Sequence, residues 1–214
     1  TKYILFDPMV TTTLPRRYTA ATIIDALANS IEGFISTRAN FLSDTIFLKS
    51  MELFSSNINN AVNVQDDITS RANLSLGGLF SSIGLSMSET GITSSLSYVL
   101  NAKFKIPKSF SSCILLPHIM DFNITSVPVK LVKITNALGE DTKDLSVVEA
   151  SIKAIERVRK IIIELKLPTR LEEFGLAKDD LIIIADEARK FEMFNYIPRS
   201  CSSEELYAIL QAAY

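Results

Sequence analysis

The chain has 214 residues, a net charge of −2 from well-mixed signs, seven glycines and no tryptophan. That length is enough for one large domain or two small ones, and for a sizeable core. So few turn glycines argue against a sheet-rich fold, and the lack of a basic patch with interleaved aromatics argues against nucleic acid as a partner.

Taken in order, "KYILFDP" at 2–8 is a short apolar run stopped by Asp7-Pro8 and predicts a strand. A lone strand cannot pair its own backbone groups, so it calls for a neighbour that the rest of the chain does not obviously supply. The chain opens on Thr1, not Met, which reads as a removed start or a piece of something larger. From Thr19 the pattern turns helical, with Ala20, Ile24, Leu27, Ile31 and Phe34 as an apolar stripe and Gly33 near the end. On the same helix Asp25, Asn29 and Glu32 share one polar face. A second helix carries Phe47, Met51, Phe54, Ile58 and Ala61 inward, with Ser43 or Asp44 as its cap. Further helices are predicted at about Asp66–Leu85, Glu89–Leu100 and Phe110–Phe122, and Gly77-Gly78 is read as a close-packing pair.

The last third is more charged. "SVVE" at 146–149 is a capping box, followed by a stripe of Val148, Ile152, Ile155, Val158, Ile162 and Leu165 that Pro168 stops. "IERVRKIIIELK" is not a basic membrane-binding helix, because Glu156 and Glu164 interrupt the charge. "KDDLIIIADEARKF" predicts another helix, and "SSEELYAILQAAY", with Ser202 and Glu205 as a second box, the last. No apolar run reaches the roughly 18 residues of a membrane span. Cys113 and Cys201 stand alone, without metal or redox spacing, and fit two reduced thiols in a cytoplasmic protein. The single histidine, His118, follows Pro117 in an apolar helix and reads as a packed imidazole. One histidine cannot build a His-based metal site, and no phosphate-cradling glycine motif is present. The reading from residues alone is one all-α domain with one orphan N-terminal strand.

"FDPMVTTTLPRRYTAATIIDALANSIEGF" resembles the segment opening the helical C-terminal domain of the iron-containing (type III) alcohol dehydrogenases, where DP-x-L-T and a proline precede D-A-L-x-H-x-x-E-x-[YF]. The likeness continues through "GITSSLSYVLNAKFKIPKSFSSCILLPHIMDFN". There Gly91, Leu96, Leu100, Ala102, Pro107, Ile114, Leu115, Leu116, Pro117, Met120 and Asn123 fall in the family's register without a gap. "LKLPTRLEEFGL" and the final helix extend it over practically the whole chain.

The resemblance implies the helical domain of the dehydroquinate synthase-like fold, beginning at residue 16. Residues 1–15 would then be the strand and connection that complete a nucleotide-binding domain. In the family, NAD(P) and Fe2+ or Zn2+ serve an alcohol dehydrogenase, with the metal on one Asp and three His. By register the Asp falls on Asp25, and the three His on Asn29, Ser94 and Lys108. A further His on the proton path falls on Tyr98. Every histidine is replaced. The expectation is therefore a metal-free, cofactor-free chain, inactive on its own. Either Lys108 pairs with Asp25, with Asn29, Ser94 and Tyr98 hydrogen-bonded around them, or Lys108 points to solvent and Asp25 merely supports its helix. The alternative is half of a working alcohol or aldehyde oxidoreductase with Tyr98 as proton donor beside Lys108. On either view the face near these residues is left open for a second copy or for the missing nucleotide-binding domain.

Overall fold

A computed structural model describes residues 3–214, which form nine α-helices joined by turns and short 3-10 segments. They are α1 (Arg16–Ile35), α2 (Phe41–Asn63), α3 (Ile68–Leu85), α4 (Ile92–Phe104), α5 (Lys108–Phe122), α6 (Pro128–Ala137), α7 (Val147–Glu164), α8 (Asp180–Ala188) and α9 (Ser203–Ala213). The all-α reading holds, but the orphan strand does not. Residue 2 lies outside the described residues, and residues 3–7 run without strand pairing, Tyr3 and Leu5 being 87% and 97% exposed. A strand needs an edge to bond to, and no strand exists among the described residues to offer one. The chain turns instead into a 3-10 segment at Pro8–Thr11, capped by Asp7, whose carboxylate accepts from the Met9 amide at 2.9 Å. Buried Arg71 of α3 anchors this segment, donating to the carbonyls of Thr11 and Gln65.

Two cores meet at α5. One gathers residues of α1, α2, α3, α6 and α7; the other gathers α4, α8 and α9. α5 serves both, sending Phe110, Cys113, Leu116 and Met120 to the first and Ile114, Leu115 and Ile119 to the second. A helix that is apolar all round is a buried one. Close approach in the first core depends on three glycines. A Cβ on Gly33 of α1 or Gly84 of α3 would sit 2.3 or 2.5 Å from the Phe47 ring of α2, so that ring fills space only glycine leaves. Gly77 likewise faces Phe54, whereas Gly78 has nothing within 4 Å and lines a cavity, so only the first of that pair packs as expected.

Several boundaries move for local reasons. The cap of α2 is Asn40, not Ser43 or Asp44; Ser43 Oγ accepts from the Asn40 amide at 2.8 Å as the far side of a capping box. α5 begins at Lys108, directly after Pro107, two residues before the expected start. Both predicted boxes form, at Ser146–Glu149 and Ser202–Glu205. On α7 the expected stripe is partly wrong: Val148 and Ile152 are exposed, and the inward ridge is Ala154, Ile155, Val158, Ile161 and Ile162. α7 closes before Pro168, with Lys166 at φ 54° and the Leu167 amide donating to the Ile162 carbonyl. α6 has no counterpart among the predicted helices; Pro128 at its first position starts it without a side-chain cap.

Candidate functional site

The polar face of α1 runs along the seam where α4 and α5 meet it. Glu32 is 3% exposed, and its carboxylate accepts from the amides of Gly91, Thr93 and Ser94 at 3.0, 2.6 and 3.2 Å. These are free donors of the first turn of α4, so Glu32 caps that helix from another element and places a negative charge at its positive end. Burial raises its pKa above the ordinary carboxylate range, against the opposing pull of those amide bonds. This cap also delays the start of α4 to Ile92, three residues past the predicted Glu89.

Ser94 carries the network onward. Its hydroxyl lies 3.1 Å from Glu32 Oε2 and 3.3 Å from Asn29 Oδ1. One turn earlier on α1, Asp25 Oδ1 accepts from Lys108 Nζ at 2.6 Å and from Ser112 Oγ at 2.7 Å. Lys108 Nζ also reaches Asn29 Oδ1 at 3.4 Å. Asp25, Asn29, Ser94 and Lys108, named from the sequence, are thus one cluster contributed by three helices. The ion pair keeps about a quarter of each side chain exposed. Ser112 was not anticipated; its only signal is its place one turn after Lys108 on α5.

Tyr98 joins differently from the expectation. It makes no side-chain hydrogen bond among the described residues; its ring centroid lies 5.7 Å from Lys108 Nζ and 5.9 Å from the Phe191 ring. This is a cation–π contact at a ring 41% exposed. The cluster contains no imidazole. Nowhere among the described residues do three or more His, Cys, Asp or Glu side chains converge as a metal-holding group. His118 lies away on α5, partly buried, its pKa lowered by burial and by Arg159. Cys113 and Cys201 are free and buried, and burial raises both thiol pKa values, Cys201 to about 11, so neither is poised as a nucleophile.

Removing Lys108 strands the Asp25 charge in a site that is only partly wet. Lys108→Ala is expected to cost about 1–2 kcal/mol at neutral pH in chemical denaturation. Unchanged stability would mean that the pair contributes nothing to the fold.

Comparison with known proteins accounts for the frame around this cluster. The chain is 26% identical to 1,3-propanediol dehydrogenase of Klebsiella pneumoniae over 208 residues, covering 97% of the chain and 54% of that protein. It is 29% identical to long-chain-alcohol dehydrogenase 1 of Geobacillus thermodenitrificans over 213 residues, covering 98% of the chain and 53% of the relative. A crystal structure of 1,3-propanediol oxidoreductase superposes with a TM-score of 0.95 at 26% identity, over 97% of this chain and 55% of that one. The chain therefore spans about half the length of the curated relatives it matches. No helix among the described residues is long and apolar enough to cross a membrane. The model of the Fe-containing alcohol dehydrogenase family, C-terminal, matches residues 19–214, and the chain belongs to that family as its helical C-terminal domain.

Proposed function

We propose that this chain is a metal-free, redox-inactive form of the dehydrogenase domain, acting as a structural or interaction module. One observation carries the reading: Lys108 Nζ sits 2.6 Å from Asp25 Oδ1, the carboxylate at the metal-binding register of the family. Fe2+ or Zn2+ does not fit this donor set. Asn29 offers an amide oxygen and Ser94 a hydroxyl where the family has neutral nitrogens. The ammonium repels a divalent ion by roughly several kcal/mol even at an effective dielectric of about 20. A Lewis acid is what polarises the alcohol oxygen in metal-dependent dehydrogenation, and this cluster has no group that replaces it in full.

Residues 1–15 are proposed to dock on a nucleotide-binding partner, the helical domain starting at residue 16. Support comes from the exposed apolar run of Tyr3, Ile4, Leu5 and Phe6 and from the half-length match to relatives. A second copy of the chain is the other candidate partner, on the face near Asn29, Ser94, Tyr98 and Lys108. Two free, buried cysteines suit a reducing compartment such as the cytoplasm.

The deciding measurement is elemental analysis after anaerobic dialysis against Fe2+ or Zn2+, with Asp25→Asn in parallel. Well under one equivalent, the same in both proteins, is expected. One equivalent that disappears in the variant would overturn the reading. The second reading, half of an NAD(P)-dependent alcohol or aldehyde oxidoreductase, is favoured by the position of Tyr98 against Lys108. It requires turnover once a nucleotide-binding half is supplied, and loss of that turnover in Tyr98→Phe.

A further inference from the structure

A separate cavity of about 270 Å³ opens between α5 and α7; none of the Asp25 cluster lines it, although Cys113, next to Ser112 on α5, does. Its walls are hydrocarbon: Ile114 and Pro117 from α5, Ile162 and Ile163 from α7. Ile163 is 65% exposed, an apolar side chain left at the mouth with nothing over it. The polar groups are few, and besides the Cys113 thiol they are one cation, one imidazole and one hydroxyl. Arg159, His118 and Thr169 line the cavity, and no carboxylate does. Arg159 is exposed on α7, and it takes no part in the ion pairs that its neighbours Arg157 and Lys160 make with Glu140 and Glu164. An apolar pocket with a small set of placed polar donors is the common form of a small-molecule site, and the volume lies just under the usual range of roughly 300–1,000 Å³.

We propose that this cavity binds a short- to medium-chain amphipathic carboxylate, its hydrocarbon tail between Pro117 and Ile162–Ile163 and its headgroup on Arg159. Charge complementarity selects the headgroup. A guanidinium is permanently ionised and presents paired N–H donors that match the two oxygens of a carboxylate. Thr169 adds a hydroxyl donor. Burial and Arg159 keep the His118 imidazole below its ordinary range, so at neutral pH it serves as a neutral hydrogen-bonding edge. Asp121, which also acts on His118, is not among the cavity-lining residues, and Arg170 joins Arg159 in countering it at that imidazole. The small volume limits the tail to a short or medium chain. Nothing in this assignment depends on the metal status of the Asp25 cluster.

His118 is the one histidine of the chain, so its imidazole gives a single reporter by nuclear magnetic resonance. Titration with sodium octanoate at neutral pH is expected to shift that signal saturably, with a Kd on the order of millimolar or tighter. Octylammonium is expected to leave it unmoved, and octanol to act more weakly than octanoate. Arg159→Gln should weaken octanoate by about tenfold or more. Ile163→Glu, a change at an exposed position that brings a rival carboxylate to Arg159, should do the same while the fold is retained. No saturable shift, an equal response to octylammonium or octanol, or an octanoate response that survives Arg159→Gln overturns the proposal. The last result would place the ligand in the neighbouring cavity that His118 also borders, beside Arg199.

Discussion

Replacing Asn29, Ser94 and Lys108 together by histidine is expected to convert the Asp25 cluster into a divalent-metal site. The three positions already converge: Ser94 Oγ and Lys108 Nζ lie 3.3 and 3.4 Å from Asn29 Oδ1, and Lys108 Nζ lies 2.6 Å from Asp25 Oδ1. Substitution removes the repelling ammonium and supplies three neutral nitrogens beside one carboxylate, a donor set suited to Zn2+ or Fe2+. Affinity for Zn2+ should rise by several orders of magnitude, with one equivalent bound in calorimetry and a matching gain in thermal stability. The single change Lys108→His should fall far short, since Asn29 and Ser94 remain poor ligands. A triple variant that folds normally yet takes up no metal would show that these side chains do not share a centre.

Glu32→Ala should be the most damaging single change at the seam. It deletes the acceptor for the amides of Gly91, Thr93 and Ser94, all buried, and leaves the first turn of α4 with orphan donors. The expected loss is about 3–5 kcal/mol in urea unfolding, or roughly 6–20 °C in Tm for a chain of this size. Glu32→Gln should fall between that variant and the parent. Its amide oxygen can still accept, but its NH2 then meets donors. A loss below about 1 kcal/mol in the alanine variant would mean that water or a shift of α4 satisfies these amides without Glu32.

The two predictions also mark where sequence reading succeeds and where it stops. Spacing along one helix is local information. It placed Asp25, Asn29 and Glu32 on one face, and the boxes at Ser146 and Ser202 where the capping atoms lie within three residues. The gathering of Asn29, Ser94 and Lys108 came through family register, which carries three-dimensional information that periodicity lacks. What the residues could not reveal is long-range. The acceptor for the start of α4 lies 59 to 62 residues upstream, so the helix had to be misjudged from its own sequence. "KYILF" has strand composition, but pairing is decided by a partner edge that is not among the described residues. Val148 and Ile152 fit the stripe of α7 in spacing yet are exposed, because the buried face centres on Ala150, Ala154, Val158 and Ile161 and leaves them beyond its edge. Tyr98 was assigned a hydrogen bond by residue type, and the geometry gives its ring face to Lys108 instead.

The Phe47 ring, seated against bare backbone at Gly33 and Gly84, has a bearing on how such a cluster could change its chemistry. That three-helix lock begins one turn along α1 from Asn29 yet uses no atom of Asp25, Asn29, Ser94 or Lys108. The direction in which α1 aims its polar side chains is therefore held in part by a steric fit between hydrocarbons, which does not depend on what ion or amine those side chains hold. Ligands can drift there one at a time while the backbone keeps its aim, whereas a single methyl group added at Gly33 would spoil it.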